Sequence, residues 1–337
     1  MQRGLSAVSF APDTLRLVRP DEGFVAKLLA DEFRTFGETR GRHRFQAALG
    51  VAVICCGGTL VALAAGLHDG ISVPTQILLL VVALIMISVG LGIRAYAAED
   101  IRRSYEALIL RRLVPTINPR LRFLGGGFSP LTLRRSRLFA AFDSTKGMKL
   151  ISGDWPDFEL DLAEVRTFKT RYREVADTQV SFDVLSWQGL FARIRLRQPA
   201  TGMLLVLPAS EARKLRHAAR RLARRIGLGG YEAIELGDEA FHRSYVVFAR
   251  SAAFVRSVLS PVLVAKLMEH TQRCGGLLRV SLSGQALDVA LPVRGPFLEA
   301  KGDALRSTMR AVDQLIGVLV LLFDLAKAAS TAQNDSV

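Results

Sequence analysis

Two stretches without a formal charge lie back to back near the start of this 337-residue chain. Residues 45–67 carry none, His68 and Asp69 follow, and residues 70–93 carry none again before Arg94. A helix of about 23 residues is roughly 34 Å long, enough for the ~30 Å hydrocarbon core of a bilayer. In hydrocarbon every backbone N–H and C=O must bond within the protein, so such a run has to be helical there. The link at 68–75 is short and holds Pro74, which predicts an antiparallel hairpin. A cleaved signal peptide does not fit, because a long polar-rich segment precedes the first run.

Orientation follows from basic residues in the short flanks. Arg40, Arg42 and Arg44 precede the first span, and Arg94, Arg102 and Arg103 follow the second. The link has no Lys or Arg. Both termini are therefore expected in the cytoplasm. Neither span has an ionisable residue in its middle, which an ion pathway or proton relay generally needs. The hairpin therefore reads as an anchor. Small residues at four-residue spacing, Gly58, Ala62 and Gly66 on the first span and Ser88 and Gly92 on the second, suit close helix packing. They predict contact within the hairpin or, as the other reading, contact between copies in a homo-oligomer.

The formal charge is +14, which favours anionic partners such as lipid headgroups, nucleic acid or acidic proteins. Three cysteines, Cys55, Cys56 and Cys274, make no disulfide framework and suit a reducing compartment.

Along the chain, residues 1–44 form an N-terminal cytosolic segment, irregular to residue 20, then an amphipathic helix with Phe24, Leu28 and Phe36 at near-helical spacing. After the hairpin at 45–93, a juxtamembrane helix occupies 94–120 and stops at Pro115 and Pro119. Residues 121–208 read as a β-rich subdomain, an antiparallel meander with strands at 165–172, 180–185, 190–196 and 203–207. Residues 209–227 read as a basic linker helix. Residues 228–329 read as an α+β subdomain, with a strand at 245–248, a helix opening at Pro261, a hairpin turning at Ser283-Gly284 and a core helix from Asp303 to Lys327. A disordered tail is expected at 330–337. The fold class is α+β: a two-helix transmembrane hairpin, then a cytosolic domain with an antiparallel β-rich half and a smaller α+β half.

The helix at 209–226 puts Arg213, Arg216, Arg220, Arg221 and Arg224 on one side and Leu215, Ala219, Leu222 and Ile226 on the other. Three readings are open: a solvated back, a contact with anionic lipid or a protein partner, and nucleic acid. The last is disfavoured because no aromatic residues interleave the arginines. Asp154, Asp157, Glu159 and Asp161 form the one acidic cluster. Partial alternation could bring two or three of these carboxylates to one side of an extended segment. Asp154 and Asp157 are thus weak metal-ligand candidates beside the plainer reading of a solvated turn. The five histidines are scattered, without zinc-ligand spacing. Gly125-Gly126-Gly127 lacks the Lys-Ser/Thr of a phosphate loop and reads as a flexible joint, and no Gly-x-Ser-x-Gly elbow occurs. No catalytic residue and no cofactor is assigned.

Several phrases resemble a known family: Ser136-Arg137-Leu138-Phe139 with Phe142-Asp143; Gln188-Gly189-Leu190-Phe191 running to Val206-Leu207-Pro208; Tyr245-Val246-Val247-Phe248; the stretch 255–268; and 287–292. Together they resemble the bacterial membrane-protein family called domain of unknown function 3137, across residues 90–325. A "Leu-Thr-Pro" helix start of that family appears here as Leu259-Ser260-Pro261. The resemblance implies a bacterial inner membrane protein and brings no activity or site. The reading reached is a membrane-anchored interaction or scaffold module facing the cytosol. Its rival is an enzyme acting on an anionic substrate at the membrane face.

Overall fold

A computed structural model of the chain describes residues 6–8, 17–39, 41–66, 73–139, 141–175, 178–200, 202–210, 232–274, 276–293 and 304–334. It divides into a unit spanning Gly23–Leu110 and a unit made of Met1–Glu22 with Arg111–Val337.

The first unit is helical: α1 (Glu22–Thr39), α2 (Gly41–Gly66) and α3 (Val73–Ile117). Among the described residues two segments, Ala48–Gly66 and Val73–Ala95, are long and apolar enough to cross a membrane. Two of their hydroxyls bond back along the helix, Thr59 to the Cys56 carbonyl and Ser88 to the Leu84 carbonyl. Pro74 sits in the first turn of α3, where its missing N–H costs nothing. α3 then continues for 45 residues without a break at Arg94. The expected juxtamembrane helix is thus the second half of one rod, because a change from apolar to charged side chains does not interrupt backbone hydrogen bonding. Pro115 lies inside the final turn, and the helix ends at Ile117.

The small residues that let α2 and α3 approach are not the expected set. A Cβ on Gly50 would stand 2.9 Å from the Gly90 carbonyl oxygen, and one on Gly57 would stand 2.8 Å from the Ile87 side chain. Ala64 and Ala83 are buried beside them. Gly50, Gly57 and Ala64 recur every seven residues, the repeat of a left-handed helix pair. Gly58, Gly66 and Gly92 meet nothing within 4 Å, and Ala62 and Ser88 are exposed. The four-residue repeat drifts off the contact seam, which the seven-residue repeat follows.

The second unit is built on a nine-stranded antiparallel sheet, counted among the described residues. Its strands are β3 (Leu121–Phe123), β4 (Ser144–Asp154), β5 (Phe158–Val175), β6 (Thr178–Leu196), β7 (Met203–Pro208), β8 (Glu232–Ile234), β9 (Tyr245–Ala249), β10 (Arg279–Ser283) and β11 (Ala286–Pro292), in the order β3-β4-β5-β6-β11-β10-β7-β9-β8. A separate two-stranded ladder, β1 (Ser6–Val8) with β2 (Leu17–Arg19), forms in the segment expected to be irregular. β2 lies against the last helix, where Arg19 pairs with Asp313 at 2.6 Å.

Both faces of the sheet are covered, so the central strands are buried on consecutive residues rather than alternate ones. Phe191 and Leu205 belong to a core roofed by α4 (Pro130–Ser136) and the loop after it, through Leu133, Leu138 and Phe142. The opposite face, with Leu190, Ile194, Leu287 and Val289, is covered by α8 (Ala304–Asn334), which also packs on α6 (Ala252–Val258) and α7 (Pro261–Cys274). A shorter helix, α5 (Glu239–Ser244), leads into β9. Phe323 of α8 reaches Trp155 and Phe158, with ring centroids 4.9 and 5.8 Å apart.

The sheet merges the two halves that the sequence separates. β6 and β7 come from 121–208 and β10 and β11 from 228–329, yet β11 pairs with β6 and β10 with β7. Strand signals are local, whereas pairing across some ninety residues leaves no mark in a periodicity. α8 also runs to Asn334, past the expected start of a disordered tail. Ser330 and Thr331 continue it by donating to the Ala326 and Lys327 carbonyls.

Candidate functional site

The acidic cluster straddles the β4–β5 turn. The register sets Asp154 opposite Glu159, and Glu159 and Asp161 opposite Arg195 and Arg193 of β6. Three of the four carboxylates therefore share a face, as partial alternation suggested. The next strand meets them with cations. Arg197 holds Asp154 at 2.6 Å and Glu159 at 3.0 Å, and Arg195 holds Glu159 at 3.0 Å and Asp161 at 3.1 Å. The result is a cross-strand ladder of ion pairs rather than a bare cluster of oxygens. Asp157 lies exposed in the turn, where its backbone carbonyl accepts from Arg197 N–H. Among the described residues no group of three or more His, Cys, Asp or Glu could hold a metal ion. Arg193, Arg195 and Arg197 alternate visibly in the sequence, but only the register shows which carboxylates they face.

Deeper on the same face, Arg193 grips Asp288 of β11 with two bonds, at 2.7 and 2.8 Å. Its Nη2 also donates to the Thr132 carbonyl of α4 at 3.3 Å. Burial pushes the Asp288 carboxyl above its ordinary value, and the arginine only partly opposes this. The pair fastens the α4 roof to the sheet, and sequence reasoning missed it because Arg193 and Asp288 are far apart in the chain.

Tyr245 is fully buried and stacks on Phe241 at 5.0 Å. Its hydroxyl accepts from Leu278 N–H at 3.3 Å and donates to the Thr271 hydroxyl, which donates on to the Leu267 carbonyl. Burial raises the phenol pKa, so it stays protonated and serves as a clamp between β9, α7 and the approach to β10. His242 accepts from Leu236 N–H at 2.7 Å, a loop-holding role.

Gly127 does not act as a joint. A Cβ there would come within 2.4 Å of the Gly147 Cα, so two glycine backbones touch where the α4 roof meets β4. Gly189, just before the strand expected at 190–196, lies inside β6. A Cβ there would stand 2.2 Å from the Leu291 carbonyl oxygen.

The far end of the β5–β6 hairpin is exposed. β4 pairs with β5 only up to Phe168, and β11 with β6 only up to Gly189. Beyond them residues 169–175 and 178–184 pair with each other alone. Strands of 18 and 19 residues far exceed the usual five or six. A bulge where Thr167 and Phe168 pair with Trp187 and Leu185 separates this arm from the sheet. The sequence reading split the region into short strands and missed the arm. Of the basic segment 209–226, only Ala209 and Ser210 are described, and Arg213, Arg216, Arg220, Arg221 and Arg224 lie outside the described residues.

No curated protein and no solved structure matches this chain. Residues 186–328 match the model of a family described as "Protein of unknown function (DUF3137)". The match is narrower than the stretch 90–325 over which the resemblance was drawn. It begins at the root of the arm, takes in the Gln188-Gly189-Leu190-Phe191 strand, and ends in α8. Over residues 186–328 the chain is thus similar to the DUF3137 family.

Proposed function

We propose that this protein is an anchored interaction module of a bacterial inner membrane, held by the α2–α3 hairpin with both termini in the cytoplasm. The observation that carries this reading is the bareness of the two apolar segments. Only 17% of Ala48–Gly66 and 11% of Val73–Ala95 is buried inside the protein. A core helix of a water-soluble domain would be mostly covered, and side chains such as Leu63, Ile77, Leu78 and Leu84 here face outward. The flanking arginines supply the sidedness. An interaction role, rather than catalysis, is supported by the neutralisation of the acidic cluster by Arg195 and Arg197 and by the length of the exposed arm. Gly58, Ala62 and Gly66 face outward and suit a second copy, and the arginines of 209–226 suit anionic lipid or a protein partner.

The test is cysteine accessibility in intact bacteria, in a background with Cys55, Cys56 and Cys274 replaced by alanine. Asp69→Cys should react with a membrane-impermeant maleimide in whole cells, and Glu174→Cys only after permeabilisation. The reverse pattern overturns the sidedness. Extraction of the protein by alkaline carbonate overturns the anchor.

A further inference from the structure

The arm carries a surface whose chemistry points to one kind of occupant. Cross-strand partners share a face, and successive residues alternate between faces. One face sets Lys169 opposite Val184, Arg171 opposite Phe182 and Arg173 opposite Val180. The other sets Thr170 opposite Asp183, Tyr172 opposite Ser181 and Glu174 opposite Gln179. The charges are therefore segregated: three cations and no carboxylate on the first face, two carboxylates and no cation on the second. Phe182 and Val180 are 44% and 46% exposed, and none of the three cations pairs with a described carboxylate.

A two-stranded ribbon with no third strand is marginal in water. This one also exposes aliphatic and aromatic surface between long basic side chains. Lys and Arg can keep their charged ends at phosphates while their stems lie along apolar surface. An open ribbon has unpaired edges and cannot enter hydrocarbon, so any lipid contact must stay in the headgroup layer. If the chain is anchored, tethering also holds a bilayer at high effective concentration.

We propose that the Lys169–Arg171–Arg173 face of the arm docks on the anionic headgroups of the membrane that holds the chain, with Phe182 and Val180 set shallowly among them. The proposal rests on the anchored reading above, and the experiment separates the two. The full-length protein, cysteine-free except for a spin label at Phe182→Cys, is reconstituted into nanodiscs of phosphatidylcholine with or without phosphatidylglycerol. With phosphatidylglycerol the label should show a several-fold drop in collisions with a water-soluble nickel chelate and a rise in collisions with oxygen. A label at Ser181→Cys, on the opposite face, should stay wet in both discs. Lys169→Glu, Arg171→Glu and Arg173→Glu together should abolish the shielding while the protein stays in the disc. Equal exposure of residue 182 in both discs overturns the docking and leaves the anchor standing. Failure to enter either disc overturns the anchor, and the docking with it. Shielding that persists in lipid-free detergent assigns the face to a second copy and also overturns the docking.

Discussion

The two ends of the β5–β6 hairpin belong to the same pair of strands and have opposite fates. At the root, Leu160, Leu162, Val165, Leu190, Phe191 and Ile194 are buried, because β4 and β11 flank the pair and helices roof both faces. In the arm the backbone ladder continues with the same antiparallel pairing, yet every described side chain from 171 to 174 and from 179 to 183 is exposed. Hydrogen-bonded pairing alone therefore does not bury anything; neighbours do. Alternation persists in both halves but sorts different things, one core from another at the root and cations from carboxylates in the arm.

This contrast is sharpest at two phenylalanines on one strand. Phe191 sits against Phe128 and Phe139, with ring centroids 4.8 and 5.7 Å away. Phe191→Ala should cost about 3–5 kcal/mol, since it removes a ring from a filled site. Phe182→Ala in the arm should stay within about 0.5 kcal/mol in detergent. Urea unfolding of the two variants reads the difference directly, and similar losses would break the comparison.

The Arg193–Asp288 pair should give the next largest effect. Asp288→Ala leaves a largely buried guanidinium without its carboxylate, which costs about 3 kcal/mol. The pH dependence has a defined sign. Burial raises the Asp288 pKa above its ordinary 3.8. A raised carboxyl pKa means that the folded state binds the proton more tightly than the unfolded chain. The group's stabilising contribution is therefore full below 3.8 and is lost as the pH rises through the folded value. Asp288→Asn removes that dependence, so the stability of wild type relative to this variant should fall as the pH rises through that window. A gap that widens as the pH rises would show that the guanidinium outweighs desolvation, and a gap independent of pH that the two cancel.

What could be read from the sequence follows from how local each signal is. The two apolar helices, the strand beginning at Tyr245, the Pro261 helix and the turn at Gly284 were legible, because each depends on composition or on one residue's backbone preference. Gly284 takes a positive φ of 58° in that turn, as the hairpin signal required. Illegible were the features set by partners distant in the chain. The sequence shows Asp154, Glu159 and Asp161 as a cluster of oxygens, and only the register of β5 on β6 shows that arginines answer them. It shows small residues at two spacings in the spans, and only the crossing of α2 with α3 selects Gly50, Gly57 and Gly90. The arm escaped notice for a related reason: Val180, Phe182 and Val184 alternate as a half-buried strand would, and only the extent of β4 and β11 shows that neither stands beside them.

The smallest expected effect is also the most direct test of whether arm and root are separable. Thr170 and Asp183 face each other, with the threonine hydroxyl donating to the carboxylate at 3.0 Å, and Asp143 accepts the Thr170 N–H at 2.8 Å. These bonds close the root. Replacing residues 171–182 with Asn-Gly, a turn that suits a two-residue hairpin, should leave them intact. The removed residues pair only with one another and their described side chains are exposed, so unfolding free energy in detergent should change by less than about 1 kcal/mol. A loss comparable to that of Phe191→Ala would mean that the arm braces the sheet. Its charged face would then be a consequence of folding rather than a surface kept free for a partner.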